Sequence, residues 1–162
     1  MVTWGESLKG ADCKKVMAQL VDVQHIYSTV QAFAALKADG SVVTWGNSSS
    51  GGDCSKVQEQ LAADVNLIHS TRYAFAALKA DGSVVAWGRA EEGGNIFKVK
   101  GHLTTGVQSI YSASKGMDGG FAAVKDGRTI VFWGDVDAKP VAVKKACDSL
   151  NLDRSNFVVL DE

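Results

Sequence analysis

Three histidines, His25, His69 and His102, are the side chains of this sequence best suited to metal binding. A zinc site needs three or four ligands that converge on one point. His25 precedes Ile26 whereas His69 follows Ile68, so the two histidines are one position out of register in matching segments. Adjacent positions of a strand point to opposite faces. The sequence therefore predicts no metal site.

Cys13 and Cys54 are the candidate nucleophiles, because each follows an aspartate at the predicted start of a short helix. A thiol at a helix N-terminus can have a lowered pKa. No histidine or second thiol lies nearby in sequence to activate either cysteine, and their matching positions favour one cysteine copied with a repeat. Cys147 follows "AVKKA" and is predicted at a buried helix position. Three cysteines, an odd number, argue against a disulfide framework.

No other motif indicates a reaction. The glycine pairs at 51–52 and 93–94 lack the Lys-Ser/Thr that completes a phosphate-binding loop. No Ser-His-Asp set or paired carboxylates recur in a setting that would support catalysis. We expect a protein that is not an enzyme and that needs no cofactor.

The composition is that of a soluble globular protein of 162 residues, with 46% apolar and 22% charged residues. Lys and Arg number 17 against 18 Asp and Glu, so no basic footprint for nucleic acid is predicted. No apolar run is long enough for a membrane span. No targeting signal precedes the first repeat. Because a signal that had been removed would leave no trace, the sequence does not determine the cellular compartment.

The elements that must position these residues are repeats. Trp-Gly recurs at Trp4-Gly5, Trp45-Gly46, Trp87-Gly88 and Trp133-Gly134, with spacings of 41, 42 and 46 residues. Residues 26–46 and 68–88 match almost throughout, and residues 110–134 form a third copy with four extra residues before Phe121. A period of this length is typical of repeat architectures.

Each copy predicts a first strand followed by a β-hairpin. Asp39-Gly40 and Asp81-Gly82 join "AFAALKA" to "SVV", and we expect them to supply the positive φ of the turn. The third Asp-Gly comes one residue early, so its turn should differ. Both faces of the hairpin are apolar and rich in alanine, which predicts sheets covered closely on both sides. A short helix beginning at Asp53 and reaching Leu61 should follow the hairpin.

The pattern of an Ile-x-Ser segment, "AFAALKADGSVVTWG" and a terminal Trp-Gly resembles the repeats of the regulator of chromosome condensation family. The resemblance implies a β-propeller, usually of seven blades. This repeat is shorter, its usual Gly-Gln-Leu-Gly tail is missing, and there are too few copies for seven blades. Its length is nearer to the bacterial β-lactamase inhibitor proteins of this propeller class.

The two ends of the sequence look like halves of one repeat, because "VTWG" near the start and "NFVVL" near the end match partner strands of an interior hairpin. We therefore predict a mostly β repeat protein with short helices, a small closed propeller-like ring of four hairpin modules. In one domain, 1–162, the modules are about 23–64, 65–106, 107–150 and a split module of 151–162 plus 1–22. Strands 2–4 and 157–160 would pair within the chain, or between chains in a head-to-tail oligomer.

The third copy departs most from the pattern. Arg89, Glu91 and Glu92 replace a small polar loop, and residues 112–120, with Lys115, Met117 and Asp118, form an insertion. Departures in the loops of a repeat scaffold are either neutral or functional. These six residues are the candidate partner contact.

Three functions remain open: a non-catalytic protein-interaction scaffold, an accessory subunit of a large complex (membrane-bound or photosynthetic), and an inhibitor of an enzyme. An inhibitor would plug its target with an aromatic rim, for which Tyr73 and Phe97 are the candidates. In each case the partner is a protein, and the four Trp-Gly pairs are expected to be structural, with large rings filling the gaps between sheets.

Overall fold

The computed structural model describes residues 13–115, 118–127, 129–149 and 158–160. The described chain is mostly β, with three sheets in sequence order and one α-helix. Sheet 1 contains β1 (Val23–Ser28), β2 (Ala32–Lys37) and β3 (Val42–Gly46), and sheet 2 contains β4 (Val65–Ser70), β5 (Ala74–Lys79) and β6 (Val84–Gly88). Sheet 3 contains β7 (Val107–Lys115), β8 (Asp118–Lys125), β9 (Thr129–Gly134) and β10 (Val158–Leu160), and α1 spans Lys139–Ser149.

Each copy of the repeat forms one antiparallel three-stranded unit with the same register. The phenylalanine of the second strand pairs with the tryptophan of the third: Phe33 with Trp45, Phe75 with Trp87 and Phe121 with Trp133. The two rings of each pair stack, with centroids 5.3, 5.2 and 5.4 Å apart in sheets 1, 2 and 3. Alternation therefore places both large rings of a hairpin on one face.

The Asp-Gly turns differ from the prediction in one respect. The glycine alone supplies the positive φ, +75° at Gly40 and +76° at Gly82. The aspartate contributes its side chain instead, since the carboxylate of Asp39 accepts hydrogen bonds from the amide and the hydroxyl of Ser41 at 2.9 and 2.6 Å. These bonds lower the pKa of Asp39 to about 2. In the third copy both Asp126 and Gly127 have positive φ, so that turn differs as predicted.

The predicted helix from Asp53 to Leu61 is wrong. The segment forms a 3₁₀ turn, Ser55–Val57, followed by further turns. At its start the Asp53 carboxylate accepts from the Ser55 amide at 2.9 Å, and at its end the carbonyl of Leu61 accepts from the amide of Val42 in β3 at 2.9 Å. So short a tethered connection favours the tighter 3₁₀ geometry. In the other copies the described 3₁₀ turns are Met17–Gln19 and Lys100–His102, which align with residues 58–60, just after Ser55–Val57.

The core lies between the layers. The ring-bearing face of sheet 2 packs on the small side chains of sheet 1, among them the fully buried Ala32 and Ala34, and sheet 3 packs on sheet 2 in the same way. The far face of sheet 3 is covered by α1 through Ala142, Ala146 and Cys147. Cys147 is therefore a buried helix residue, as the sequence predicts.

The indole groups join consecutive sheets. The indole N–H of Trp87 donates to the carbonyl of Gly51 at 3.0 Å, and that of Trp133 donates to the carbonyl of Gly93 at 3.0 Å. In each case the acceptor lies in the loop that follows the preceding sheet. Both rings are about 95% buried, at 4% and 5% exposure, so they fill the gap between sheets. Trp4 and Gly5 lie outside the described residues.

The described residues contain no closed ring. The proposed partner strand at residues 2–4 lies outside them, as does Phe157. The described part of the last strand, β10, pairs in parallel with β9, with Val158 opposite Thr129 and Leu160 opposite Val131. The sheet order β10-β9-β8-β7 thus gives sheet 3 a fourth strand, and closure through a split module stays a prediction.

Candidate functional site

The predicted partner contact falls at the boundary between sheets 2 and 3. Arg89, Glu91 and Glu92 lie in or beside a 3₁₀ turn, Ala90–Glu92, which we call the β6–β7 turn. This turn packs against β8, whose first residue is Asp118. The fold therefore brings Arg89, Glu92 and the start of β8 into one region. Lys115 ends β7, its side chain lies outside what is described, and Met117 lies outside the described residues altogether.

The insertion at 112–120 is an extended hairpin rather than a loop. β7 and β8 continue their antiparallel pairing through Ala113 with Gly120, Ser114 with Gly119 and Lys115 with Asp118. We call residues 112–115 and 118–120 the β7–β8 tip. The four extra residues lengthen both strands of one hairpin. Because their number is even, side chains beyond the insertion keep the same alternation between the two faces of the sheet.

Tyr73 is flanked by two guanidinium groups. The Arg89 guanidinium carbon lies 3.9 Å from the centre of the Tyr73 ring, and that of Arg72 lies 5.7 Å from it. Both distances fall within the range of cation–π attraction. Tyr73 and Arg89 are half-buried and Arg72 is exposed. Tyrosine and arginine are among the residue types most enriched at the centres of protein interfaces.

Sequence reasoning named Arg89 and Tyr73 but missed Arg72. The signal was available in the alignment of the first two copies, where Arg72 replaces Val30 and Arg89 replaces Asn47. Both changes introduce an arginine, but the two positions lie in different loops, one before β5 and one after β6. Their common position around the Tyr73 ring is seen only once the fold places these loops side by side.

Glu92, one of the predicted contact residues, has its side chain buried within the chain. It is only 3% exposed. Neither carboxylate oxygen has a hydrogen bond of good geometry from the described residues. Burial raises the pKa of Glu92, while the Tyr73 amide, the Thr71 hydroxyl and the charges of Arg89 and Arg72 oppose that rise. The neighbouring Glu91 is exposed.

Three carboxylates meet on the sheet 3 side of the boundary. One oxygen from each of Asp118, Asp135 and Asp137 lies within 4.8 Å of the others. The Asp135 carboxylate also accepts from the Asp137 amide at 2.8 Å, which closes a local turn. Exposed acidic groups often cluster in this way without an ion, and we assign no metal to them.

Phe97 lines two grooves, one bordered by residues of β6 and the other by residues of β9. It is 82% exposed, and Val136, which also lines the second groove, is 74% exposed. That groove has a volume of about 630 Å³ and includes Trp133, Val99 and Glu91 in its lining, while the first groove has a volume of about 530 Å³. An aromatic side chain this exposed contributes little to the core of its own chain.

The histidines and cysteines do not gather into a group that could hold a metal ion within the described part of the chain. His25 and His102 are exposed, and His69 is half-buried with an Nε2 atom that has no hydrogen-bond partner among the described residues. Burial, with a smaller contribution from Lys145, lowers the pKa of His69. Cys54 is buried, and burial raises the pKa of its thiol, so the lowered pKa considered for a helix N-terminus is not found.

Comparison with known proteins gives structural matches only. No protein-family model matches the chain, and no curated protein sequence matches it significantly. Human WBSCR16 resembles it with a TM-score of 0.44 and 17% identity, over 69% of this chain and 33% of that one. Yeast RCC1 (Prp20) bound to Kap60 gives 0.38 and 17%, over 64% and 30%. Prp20p from Saccharomyces cerevisiae, with its binding properties to Gsp1p and histones, gives 0.38 and 18%, over 64% and 31%.

The chain thus spans about a third of the length of these solved chains, at 33%, 30% and 31%. The family that the Trp-Gly motif suggests is represented among them. The described fold is a row of three repeat sheets, of three, three and four strands, and none of its described helices is long and apolar enough to cross a membrane.

Proposed function

We propose that this chain is a non-catalytic protein-interaction module that binds a protein partner across the boundary of sheets 2 and 3. The observation that carries the proposal is the exposure of Phe97 and Val136, at 82% and 74%, in the lining of one groove. Apolar side chains at the edge of a concave surface are typical of an interaction site.

The surroundings of the groove suit a protein rather than a small molecule. The groove is open, and its lining mixes Trp133 and Val99 with Glu91 and Lys98. The β6–β7 turn connects it to the Tyr73 ring with its two guanidinium groups. An apolar anchor bordered by tyrosine, arginine and exposed charge is the usual composition of a protein interface.

A pull-down from the native source, followed by mass spectrometry, tests the proposal. We expect wild-type protein to retain a specific partner and Phe97→Ala to lose it, with affinity reduced at least about tenfold, as for a central interface residue. Val21→Ala is the matched control, since Val21 is 57% exposed and precedes β1, outside sheets 2 and 3.

Recovery of no partner by wild-type protein, or equal recovery by wild type and Phe97→Ala, would contradict the proposal. The identity of the partner decides between the three roles. An enzyme whose activity falls on binding indicates an inhibitor, a multi-subunit assembly indicates an accessory subunit, and several unrelated partners indicate a scaffold.

A further inference from the structure

Glu92 occupies a position that the other copies fill with small, uncharged side chains. The carbonyl of Glu92 accepts from the Thr71 hydroxyl at 3.2 Å, as the carbonyl of Ser50 accepts from the Thr29 hydroxyl at 2.9 Å. This shared bond makes Ser50 the counterpart of Glu92. The Ser50 hydroxyl is itself hydrogen-bonded, to Gln31 at 3.3 Å, whereas the Glu92 carboxylate is buried without such a bond.

The carboxylate of Glu92 occupies space that is left by Gly119, a glycine of the third copy. The amide of Arg89 donates to the carbonyl of Tyr73 at 2.9 Å, and the amide of Asp135 donates to the carbonyl of Gly119 at 2.9 Å, so Gly119 is the counterpart of Tyr73. A Cβ on Gly119 would overlap Oε2 of Glu92 and would come within 2.9 Å of the Thr71 Cβ. Glu92 thus fills the place of the side chain that Gly119 lacks, directly against the β7–β8 tip.

Two charged groups act on Glu92, and a third precedes the glycine that it contacts. Arg89 belongs to its own turn, Arg72 comes from the loop before β5, and Asp118 is next to Gly119 in β8. The two guanidinium groups favour the carboxylate ion, but burial outweighs them. A buried carboxylate without good hydrogen bonds is most stable when it carries a proton.

We propose that Glu92 is a proton-controlled latch that holds the β7–β8 tip on the β6–β7 turn. With the proton bound, the neutral group stays packed against Gly119. When the proton leaves, the ion is drawn toward water and the guanidinium groups, and the contact with the tip weakens. The proposal names a regulation of the interaction surface and so rests on the proposed function, because the turn that carries Glu92 also carries Arg89, beside the Tyr73 ring, and Glu91, in the groove lining.

The direction of the pH dependence follows from linkage. The pKa of Glu92 is raised in the folded protein, so the packed state holds its proton to higher pH than the opened or unfolded state. The extra stability is therefore present below the ordinary glutamate pKa and is lost as the pH rises through the raised value. Between the two pKa values the opening equilibrium changes by up to about tenfold per pH unit.

Amide hydrogen exchange tests the latch without any partner. Exchange of Gly119 and Gly120 is measured between about pH 4 and about pH 8 and corrected for the intrinsic pH dependence of exchange; the expected change is up to about tenfold per unit within the titration range. We expect opening of the wild-type tip to increase with pH and the Glu92→Gln tip to stay closed. Glu91→Gln, at the exposed neighbour, should behave as wild type. A Glu92→Gln profile that matches wild type would overturn the proposal.

Gly119→Ala gives a second measurement. The added methyl group displaces the carboxylate, so the tip should open more than in wild type at low pH and lose most of its pH dependence. A pH profile unchanged by Gly119→Ala would also overturn the latch. Because these readouts need no partner, a failed Phe97→Ala pull-down with an intact latch would remove only the interaction proposal, and the reverse result would remove only the latch.

Discussion

At the scale of the residue, glycines fix where consecutive sheets can meet. Gly40 in the β2–β3 turn has a φ of +75°, and a Cβ there would lie 2.7 Å from the amide nitrogen of Asp64, which precedes sheet 2. Gly82 repeats the arrangement, with a Cβ position 2.8 Å from the nitrogen of Gly106. The glycine therefore serves two purposes, since it permits the turn and also lets the start of the next sheet approach the backbone.

Gly40→Ala should lower the free energy of unfolding by about 1–2 kcal/mol for the left-handed backbone alone, and by more for the overlap with Asp64. Chemical denaturation measures the difference. Gly101→Ala is the control, because Gly101 has no atom within 4 Å of its Cβ position. Equal stability of the two variants would show that the turn can relax away from sheet 2.

The role of a residue was predictable from the sequence where its contacts lie within one hairpin. The Asp-Gly turns and the alternation of Phe75 with its neighbours lie within one hairpin. The burial of Glu92 was not predictable, because it depends on a glycine in another copy of the repeat. The position of Arg72 beside the Tyr73 ring was not predictable either, because the second guanidinium group at that ring, Arg89, lies in a different loop.

At the scale of the element, the sheet 3 end of the row is covered by the helix α1 rather than by another sheet. α1 contributes Ala142, Ala146 and Cys147 to the face of sheet 3 that another sheet would otherwise cover. The Lys145 ammonium group donates to the carbonyl of Ser112 at 2.8 Å, which ties the helix to β7. Small buried residues allow α1 to lie close to the strands, as alanines do between the sheets.

Ala146→Glu should destabilise the protein by about 3 kcal/mol or more, because it buries an unpaired charge at a residue that is 0% exposed. Thermal or chemical unfolding followed by circular dichroism gives the value. Lys144→Gln is the matched control on the exposed side of α1, where the pair with Asp148 is open to solvent, and it should change stability by no more than about 0.5 kcal/mol. Wild-type stability in Ala146→Glu would mean that α1 does not cover sheet 3 in solution.

Elements were predicted unevenly. The hairpins were predicted because the strand period and the turn residues occur together in a short stretch. The helix expected after Asp53 is a 3₁₀ turn, since contacts of Leu61 with β3 determine its shape. The sequence predicts a loop where β7 and β8 are extended, because glycines at 119 and 120 are typical of loops and their pairing with 113 and 114 is not visible in the sequence.

At the scale of the whole molecule, the two sides of the row are unequal. Ile68 and Ile110 are each 1% exposed because a sheet precedes theirs, whereas the equivalent Ile26 in sheet 1 is 48% exposed. The opposite side of the row is covered by α1. A ring closed by residues 2–4 and 157–160 would place a further module on the side of Ile26, and this remains a prediction.

Removal of residues 1–5 tests the ring. If these residues complete a module, their loss should lower the melting temperature by about 2–4 °C for each kcal/mol lost. Scanning calorimetry of the full and shortened chains measures the change. A melting temperature unaffected by the deletion would contradict closure within the chain. A melting temperature that depends on protein concentration in the full chain would indicate pairing between chains instead.

The hydrogen bond from each indole to the loop of the preceding sheet has a consequence for spectroscopy. Trp87 and Trp133 belong to sheets 2 and 3, yet their N–H groups are bound at Gly51 and Gly93. The fluorescence of each tryptophan therefore reports on the junction before its own sheet rather than on the sheet itself. In variants that keep a single tryptophan, the wavelength of maximum emission during unfolding would show the order in which the junctions separate.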